Sequence, residues 1–353
     1  MAKTDNLGDF LKDVADSIRT KTGTTELINA QDFSDKILNI SSGENTLKNL
    51  LDVTKQTKFL FEGLYRDSVD GLIQYNDTEN VTNMYNMFSG SPLLTTVPLL
   101  NTSKVTEMSY MFSQCQNLTA VPQFDTGNAT NMNNMFSNCA KLTAIPLLNT
   151  SSATNMSYMF QSCAKLTTIP QLNTSNVTNM DGMFTACKAL TSVPQLDTSN
   201  VTTMMRMFNQ CENLTSIPLL NTSKVYYMSG MFNGCTKLET LPEFNTSNLL
   251  SAPNMCTNCT SLTTIPAWNV NTVSQMDGAF TGCTNLKSIL MTNIGFNLKI
   301  SDSTKFERSD LLVIINNLKT ITSKKWLTMG ETNLAKLTDE DKAIATNKGW
   351  TLA

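Results

Sequence analysis

The fold of this chain is decided by a phrase of 24 residues, Asn173–Leu196, which reads NTSNVTNMDGMFTACKALTSVPQL. The next residue, Asp197, begins another copy, and the register holds without insertion or deletion through nine units, from Asp77 to Thr292. A repeat of this length predicts a solenoid, in which each unit forms one coil and equivalent residues lie above one another.

Apolar residues recur at fixed positions of each unit, and they predict a continuous core. Two Met residues precede a Phe with the spacing i, i+3, i+4, which gives one apolar face of a single helical turn. The stretch Leu190–Leu196 alternates apolar and polar residues, as a short strand does. The prediction is an α/β solenoid of nine 24-residue coils, with a Phe column at Phe88, Phe112, Phe136, Phe160, Phe184, Phe208, Phe232 and Phe280.

Eight of the nine cysteines share one slot, and we expect buried thiols rather than disulfides. Neighbouring coils bring these cysteines close, but their side chains point the same way, which disfavours a bond. The ninth, Cys256, occupies the Phe slot of its coil. The Cys256-x-x-Cys259 pair is therefore interpreted as a packing substitution rather than a zinc or redox motif. The Asn-Thr-Ser triplets match a glycosylation pattern, but they are also the turn of the repeat.

The segments that flank the array predict three further units. Residues 1–43 carry two short amphipathic helices and form a helical attachment or assembly module, and residues 44–76 form an N-terminal cap. Residues 77–292 are the solenoid, and residues 293–353 are an α/β C-terminal cap. In that cap we expect a helix around Asp310–Leu318, a strand around Lys325–Met329, a helix around Asp339–Asn347 and a strand near Trp350.

The composition argues against several classes of function. A net charge of −3 without a Lys/Arg cluster argues against binding to nucleic acid. The chain contains no histidine, which removes Ser–His and Cys–His nucleophile pairs and His-ligated metals. No stretch approaches the length of a membrane span, and no Asp/Glu pair can be placed in a pocket. We therefore expect no enzyme activity, no cofactor, no metal and no membrane insertion.

The Met, Met, Phe, Cys, Leu, Val and Leu positions of residues 77–292 resemble those of BspA-like leucine-rich-repeat surface proteins. That resemblance implies a curved leucine-rich-repeat-type solenoid used for adhesion or recognition. Residues 10–23 and 32–37, and the C-terminal stretch 327–352, resemble segments of tailed-phage structural proteins. This second resemblance implies a virion protein that contacts other virion proteins through residues 1–43.

Together these features predict a non-enzymatic phage virion protein, namely a tail, fibre or head-fibre component. It would face the host outside the cell and recognise a bacterial surface glycan or protein. The N-terminus lacks the apolar region of a signal peptide, which suits a phage protein better than an exported one. Two alternatives stay open: a bacterial surface or secreted adhesin, and a structural decoration of the particle. A homo-oligomer is compatible with the sequence, but no sustained heptad fixes its number.

Candidate binding residues lie in slots that vary from coil to coil, because the invariant slots build the core. Tyrosine and arginine are common interface anchors, although scattered surface aromatics are also common. The first candidate stripe consists of Tyr110, Tyr158, Arg206, Tyr226 and Tyr227. The second, beside the Pro slot and expected on the concave face, is Leu99, Gln123, Leu147, Gln171, Gln195, Leu219 and Glu243.

Overall fold

The computed structural model describes residues 57, 60, 73 and 75–353. The prediction for residues 1–43 lies outside the described residues, and so does nearly all of the cap predicted at residues 44–76. The described chain is a stack of coils. Parallel β-bridges join residues 24 positions apart, beginning with Asn83–Glu107 and ending with Ser251–Gln275. This ladder confirms that the repeat folds as a solenoid.

Regular secondary structure is concentrated near the C-terminus. A 3₁₀-helix, Tyr75–Thr78, precedes the ladder. Strands β1 (Thr264–Ile265) and β2 (Ser288–Ile289) pair in parallel. They are followed by β3 (Leu298–Lys299), α1 (Arg308–Asn316), β4 (Lys325–Thr328), α2 (Glu331–Leu334), α3 (Asp339–Asn347) and β5 (Trp350–Leu352). Strands β3, β4 and β5 form a parallel sheet in that order, so the predicted helices and strands of this segment are confirmed within two residues at each start.

The predicted helical turn of each coil is wrong, because the Met-Met-Phe segment forms tight turns instead. The N–H of Met111 donates to the C=O of Met108, three residues back (3.3 Å). The N–H of Tyr110, between them, donates to the C=O of Asn133 in the next coil (3.0 Å). A helix would keep both bonds within the segment. Alternate backbone N–H groups thus donate within the coil and to the next coil. The i, i+3 spacing of the Met residues is compatible with a tight turn as well as with a helical turn.

The predicted strand is also wrong in most coils, and proline explains why. Leu190–Leu196 is not a strand, and Pro194 lacks the N–H that a ladder needs. In the last coil Leu290 replaces this proline, and its N–H donates to the C=O of Ile265 (2.9 Å). Strand β2 ends one residue before it. The strand pairing therefore forms where the proline is absent.

The predicted aromatic core is confirmed. The Phe column is fully buried from Phe88 to Phe232, and neighbouring rings stack with centroids 5.4–5.8 Å apart. Cys256 interrupts the column in the next coil. There Phe244 stacks on Phe232 (6.3 Å) and Trp268 stacks on Phe244 (5.5 Å). Larger residues in the neighbouring Leu slot thus fill the space that the missing Phe would occupy.

The prediction of buried thiols is confirmed as well. All nine cysteines are buried and unpaired. Each Sγ of the column donates to a backbone carbonyl of the preceding coil, as Cys187 does to Phe160 (3.0 Å). Burial raises the pKa of the Cys163 thiol to about 12. The column therefore acts as a packing element that also satisfies a carbonyl.

An ion pair joins two helices of the C-terminal segment. The Nε and Nη2 atoms of Arg308 donate to the two carboxylate oxygens of Asp341 (2.8 and 2.7 Å). Asp341 also accepts the N–H of Thr338, whose hydroxyl accepts the N–H of Asp341 in return (2.9 and 3.2 Å). This reciprocal cap begins α3. The Arg308 side chain, followed by the Thr338 N–H, holds the pKa of Asp341 below its usual range.

Candidate binding site

Three of the predicted binding residues lie in a slot whose backbone is left-handed. Tyr110, Tyr158 and Arg206 have φ of 58°, 56° and 56°. Only Gly, and to a lesser degree Asn, adopts this conformation at low cost. The same slot is accordingly filled in other coils by Asn86, Asn134, Gly182, Gly230, Asn254 and Gly278. The residues in this slot are therefore constrained by its positive φ. The recurrence of Gly and Asn at this position of the sequence indicates that constraint.

The large residues of this slot pack on the small residue of the next coil. A Cβ added at Gly182 would lie 2.2 Å from the Cε1 atom of Tyr158, so the tyrosine ring covers that glycine. The Cγ atom of Arg206 would lie 3.5 Å from a Cβ at Gly230. The Tyr110 ring contacts the Tyr85 ring edge-on, with centroids 5.8 Å apart. The structure therefore assigns Tyr110 and Tyr158 a packing role and leaves both only half-exposed.

The other two predicted residues form a small exposed patch. Tyr226 and Tyr227 are 41% and 44% exposed, and their ring centroids lie 6.4 Å apart. The N–H of Leu250, itself exposed, donates to the C=O of Tyr226 (3.0 Å). We call Tyr226, Tyr227 and Leu250 the tyrosine patch. Arg206 lies one coil away from it, whereas Tyr110 and Tyr158 belong to more distant coils.

Most of the second predicted row lies in a groove of about 1330 Å³, whose lining runs from Gln123 to Asn245. Leu147 and Leu219 are each 60% exposed in this groove, the highest values among the large apolar residues described. Leu99 occupies the same slot in an earlier coil but does not line the groove. The residues of the row from Gln123 to Glu243 therefore line one continuous surface.

Glutamines of this row are fixed by the backbone of the next coil. The Nε2 atom of Gln171 donates to the C=O of Gln195 (2.6 Å), and that of Gln195 donates to the C=O of Leu219 (2.9 Å). Gln123 donates to Leu147 in the same way. Within residues 75–353 the Oε1 atoms of these three glutamines accept no hydrogen bond. Each amide is thus held in place with its acceptor available to a ligand.

A further row of groove residues was missed by the sequence analysis, which assigned it to the turns of the repeat. Asn173 Oδ1 accepts the N–H and the hydroxyl of Ser175 (3.1 and 2.8 Å), which fixes the carboxamide. Its Nδ2 donates to no acceptor in the described part of the chain. Asn149 and Asn221 have the same two bonds, and Asn245 accepts the Ser247 N–H alone. The turn row consists of Asp125, Asn149, Asn173, Asp197, Asn221 and Asn245.

The charges of the groove are few and of one sign. Its lining contains Asp125, Asp197 and Glu243 and neither Lys nor Arg. The Ser199 N–H, which bonds Asp197 Oδ1 (2.9 Å), holds the pKa of Asp197 below its usual range. Asp197 is therefore a carboxylate at neutral pH, and the groove disfavours polyanions.

A buried carboxylate outside the groove replaces a missing turn acceptor. Asn179 Oδ1 accepts the N–H of Asp181 (2.9 Å) in its own coil. Thr203 takes the place of this asparagine in the next coil. There Asp181 accepts both the Thr203 hydroxyl (2.6 Å) and the Met205 N–H (2.7 Å). Burial raises the pKa of Asp181 despite these two bonds, so this group has a structural role.

A family profile matches most of the chain. The profile, described as "Mycoplasma protein of unknown function, DUF285", matches residues 55–168, 118–215 and 190–293. The chain belongs to the DUF285 family. The DUF285 match covers the groove and the tyrosine patch and ends before α1. No curated protein matches the chain.

Solved structures similar to this DUF285 chain are leucine-rich-repeat proteins. A protein of T. pallidum is 19% identical, with a TM-score of 0.38 over 53% of this chain and 84% of its own. A protein of Bacteroides ovatus is 17% identical, with a TM-score of 0.36 over 77% and 88%. A cell surface protein of Faecalibacterium prausnitzii is 18% identical, with a TM-score of 0.23 over 61% and 78%. The solenoid is established by its own coil-to-coil hydrogen bonds, without help from these neighbours.

The described residues of this DUF285 chain contain no group of three or more Cys, Asp or Glu side chains placed to hold a metal ion. No helix in the part of the chain that the structure describes has the length and apolar character of a membrane span.

Proposed function

We propose that this chain is a non-enzymatic recognition protein whose groove binds an extended, uncharged ligand on a bacterial surface. The observation that carries the proposal is the combination of two exposed leucines with two rows of fixed polar side chains. Apolar contact together with a few placed polar groups is typical of ligand sites. The single sign of the groove charges favours a neutral ligand over a polyanion.

We further propose that the protein is carried on a phage particle, with residues 1–43 contacting other virion proteins. The support is the resemblance of residues 10–23, 32–37 and 327–352 to tailed-phage structural proteins; the family match and the solved structures do not bear on it. The competing setting is a bacterial surface or secreted adhesin, which the resemblance of the array to BspA-like proteins favours. A decoration protein without a ligand is the third reading.

Binding of labelled full-length protein to a panel of bacteria tests the role of the groove. The double variant Leu147→Asp, Leu219→Asp places charges on the two exposed apolar contacts, and Leu99→Asp is its matched control outside the groove. We expect binding to be lost in the double variant and kept in the control. Binding that survives the double variant would refute the groove as the recognition surface.

The tyrosine patch is tested in the same assay. Tyr226→Thr and Tyr227→Asn restore the residues that equivalent slots carry in other coils, such as Thr178 and Asn179. We expect these variants to bind like the wild type. Loss of binding in these variants alone would move the site from the groove to the patch.

Gold labelling with an antibody against residues 77–292 tests the setting. Label at a tail tip or on projecting fibres supports the virion role. Label on bacterial cells without label on particles would overturn that role in favour of the adhesin, and label spread evenly over capsids would favour decoration.

A further inference from the structure

The side chains that line the groove repeat with a period of three coils. The first three coils present the pairs Gln123 with Asp125, Leu147 with Asn149, and Gln171 with Asn173. The next three present Gln195 with Asp197, Leu219 with Asn221, and Glu243 with Asn245. These pairs differ only at Gln171 and Glu243, whose side chains have nearly the same shape, while the lining residue Phe124 is matched three coils later by Leu196.

Some slots outside the groove follow this longer period and others do not: Val121, Ile145 and Ile169 are matched three coils later by Val193, Ile217 and Leu241. In the left-handed slot, Asn134 and Tyr158 correspond to Arg206 and Gly230, so that slot does not follow it. The period also ends with the groove, because the preceding coil carries Leu99 where Gln171 and Glu243 predict a glutamine or glutamate. Whatever the origin of the repetition, it places similar side chains at two points along the groove.

We infer that the groove contains two equivalent subsites and that its ligand is a linear, uncharged polysaccharide spanning both. The inference rests on the proposed function of the groove and specifies its ligand. Neighbouring coils of a parallel ladder lie about 4.8 Å apart, so three coils place the two subsites about 14 Å from each other. A polymer of repeating units can present the same groups at both places.

The polar groups of each subsite suit hydroxyl groups. One subsite offers the Nδ2 donors of Asn149 and Asn173 and the acceptors of Asp125 and Gln123. A hydroxyl both donates and accepts, so the hydroxyls of a sugar ring can satisfy donors and acceptors that stand side by side. The exposed Leu147 then contacts the apolar C–H face of a ring.

An extended peptide fits this surface less well. Peptides that add to a sheet bond to a free backbone edge. The groove presents side chains instead, and the glutamine amides already occupy backbone carbonyls of the row, such as that of Leu219. Proline in every groove coil removes a further backbone donor. The chemistry of the lining therefore favours a polysaccharide.

The first test separates glycan from protein ligands. Bacteria that bind the labelled chain are treated either with periodate, which oxidises sugars, or with protease. We expect periodate to abolish binding and protease to leave it intact. The reverse result would overturn the polysaccharide inference, while the groove variants of the preceding section would still decide whether the groove binds.

The second test counts the subsites by calorimetry, using size-graded fragments of neutral cell-wall polysaccharide released from the bound bacterium. We expect short fragments to bind two per chain, and fragments that span both subsites to bind one per chain, about 100-fold more tightly. Leu147→Ala and Leu219→Ala should each reduce the number of short fragments bound from two to one. Leu99→Ala, the matched control, should change neither number nor affinity.

The outcomes distinguish the two levels of the proposal. One fragment per chain at every length, with only one of the two leucines contributing, would overturn the paired subsites and leave the groove as the recognition surface. Binding unchanged in both groove variants would overturn the paired subsites and the groove together.

Discussion

Replacing Phe184 by alanine tests the assignment of the aromatic column as the core. Phe184 is fully buried and stacks between Phe160 and Phe208, with centroids 5.7 and 5.5 Å away. Truncating a buried Phe costs about 3–5 kcal/mol because contacts are lost and a cavity remains. Each stacked pair contributes about 0.5–1.5 kcal/mol, and two pairs are lost. The 3–5 kcal/mol range is a total that already includes lost contacts, so the two lost pairs place the expected fall in the free energy of unfolding in its upper part, at about 4–5 kcal/mol.

Equilibrium unfolding in urea measures this loss. Far-UV circular dichroism follows the whole chain, and tryptophan fluorescence follows its C-terminal part, since the three tryptophans are Trp268, Trp326 and Trp350. Coincident curves would justify a two-state free energy. Tyr226→Ala is the control, because an exposed substitution changes stability by about 0.5 kcal/mol or less. Equal losses in the two variants would refute the reasoning.

The coil that contains Cys256 suggests a second substitution that should restore stability after the loss of Phe184. Cys256 is followed twelve positions later by Trp268, as Phe184 is by Leu196. The double variant Phe184→Cys, Leu196→Trp transfers that combination to the middle of the array. It should be more stable than Phe184→Cys alone, as measured by a double-mutant cycle. An additive result would show that Trp268 does not compensate for the missing Phe.

Three further predictions concern ionisable groups. Because the folded-state pKa of Asp341 lies below 3.8, its ion pair stabilises the fold above that pH and is lost as pH falls through the lowered pKa. Thermal melts of Arg308→Ala should therefore show a smaller loss on acidification than those of the wild type. Asp181 has a raised pKa, so the stability that its protonated form provides is fully present below pH 3.8 and is lost as pH rises through the folded pKa. The melting temperature of Asp181→Asn should therefore lack this decrease with rising pH. A pH profile of melting equal to that of the wild type would contradict the prediction. A thiol reagent should label no cysteine of the described array at pH 8 in the native protein and all nine after unfolding, because all nine are buried and burial raises the pKa of the Cys163 thiol, for example, to about 12. Rapid labelling of the native chain would contradict a buried column.

The architecture could be predicted because a fixed period identifies the equivalent residues of each coil without any knowledge of local conformation. The local conformation could not be predicted, since Met108 and Met111 have the same spacing in a tight turn as in a helical turn. The strand pairing could have been predicted from the proline slot, because proline lacks the N–H that a ladder needs. Leu290 is the one replacement in that slot and marks the coil where pairing occurs. The alternation of apolar and polar residues is the same in the other coils and does not reveal this difference.

Part of the candidate groove lining could be picked out from the sequence, for a similar reason. The row from Gln123 to Glu243 was found because it lies beside the proline slot. The asparagine row was assigned only to turns, although a carboxamide that caps a turn with its oxygen keeps its nitrogen for a partner. Tyr110 and Tyr158 were chosen for their variability, whereas the left-handed backbone and the glycine beneath Tyr158 explain their positions by packing.

The alternation of backbone N–H groups described for Tyr110 and Met111 has a consequence for how this protein can evolve. Every coil meets its neighbours through the same donors and acceptors, so the junction made by removing or adding one 24-residue unit equals the junction it replaces. Gain or loss of whole 24-residue units can therefore lengthen or shorten the array without creating a new kind of junction. Because the paired side chains of the groove repeat every third coil, only gains or losses in multiples of three coils preserve the order of its surface.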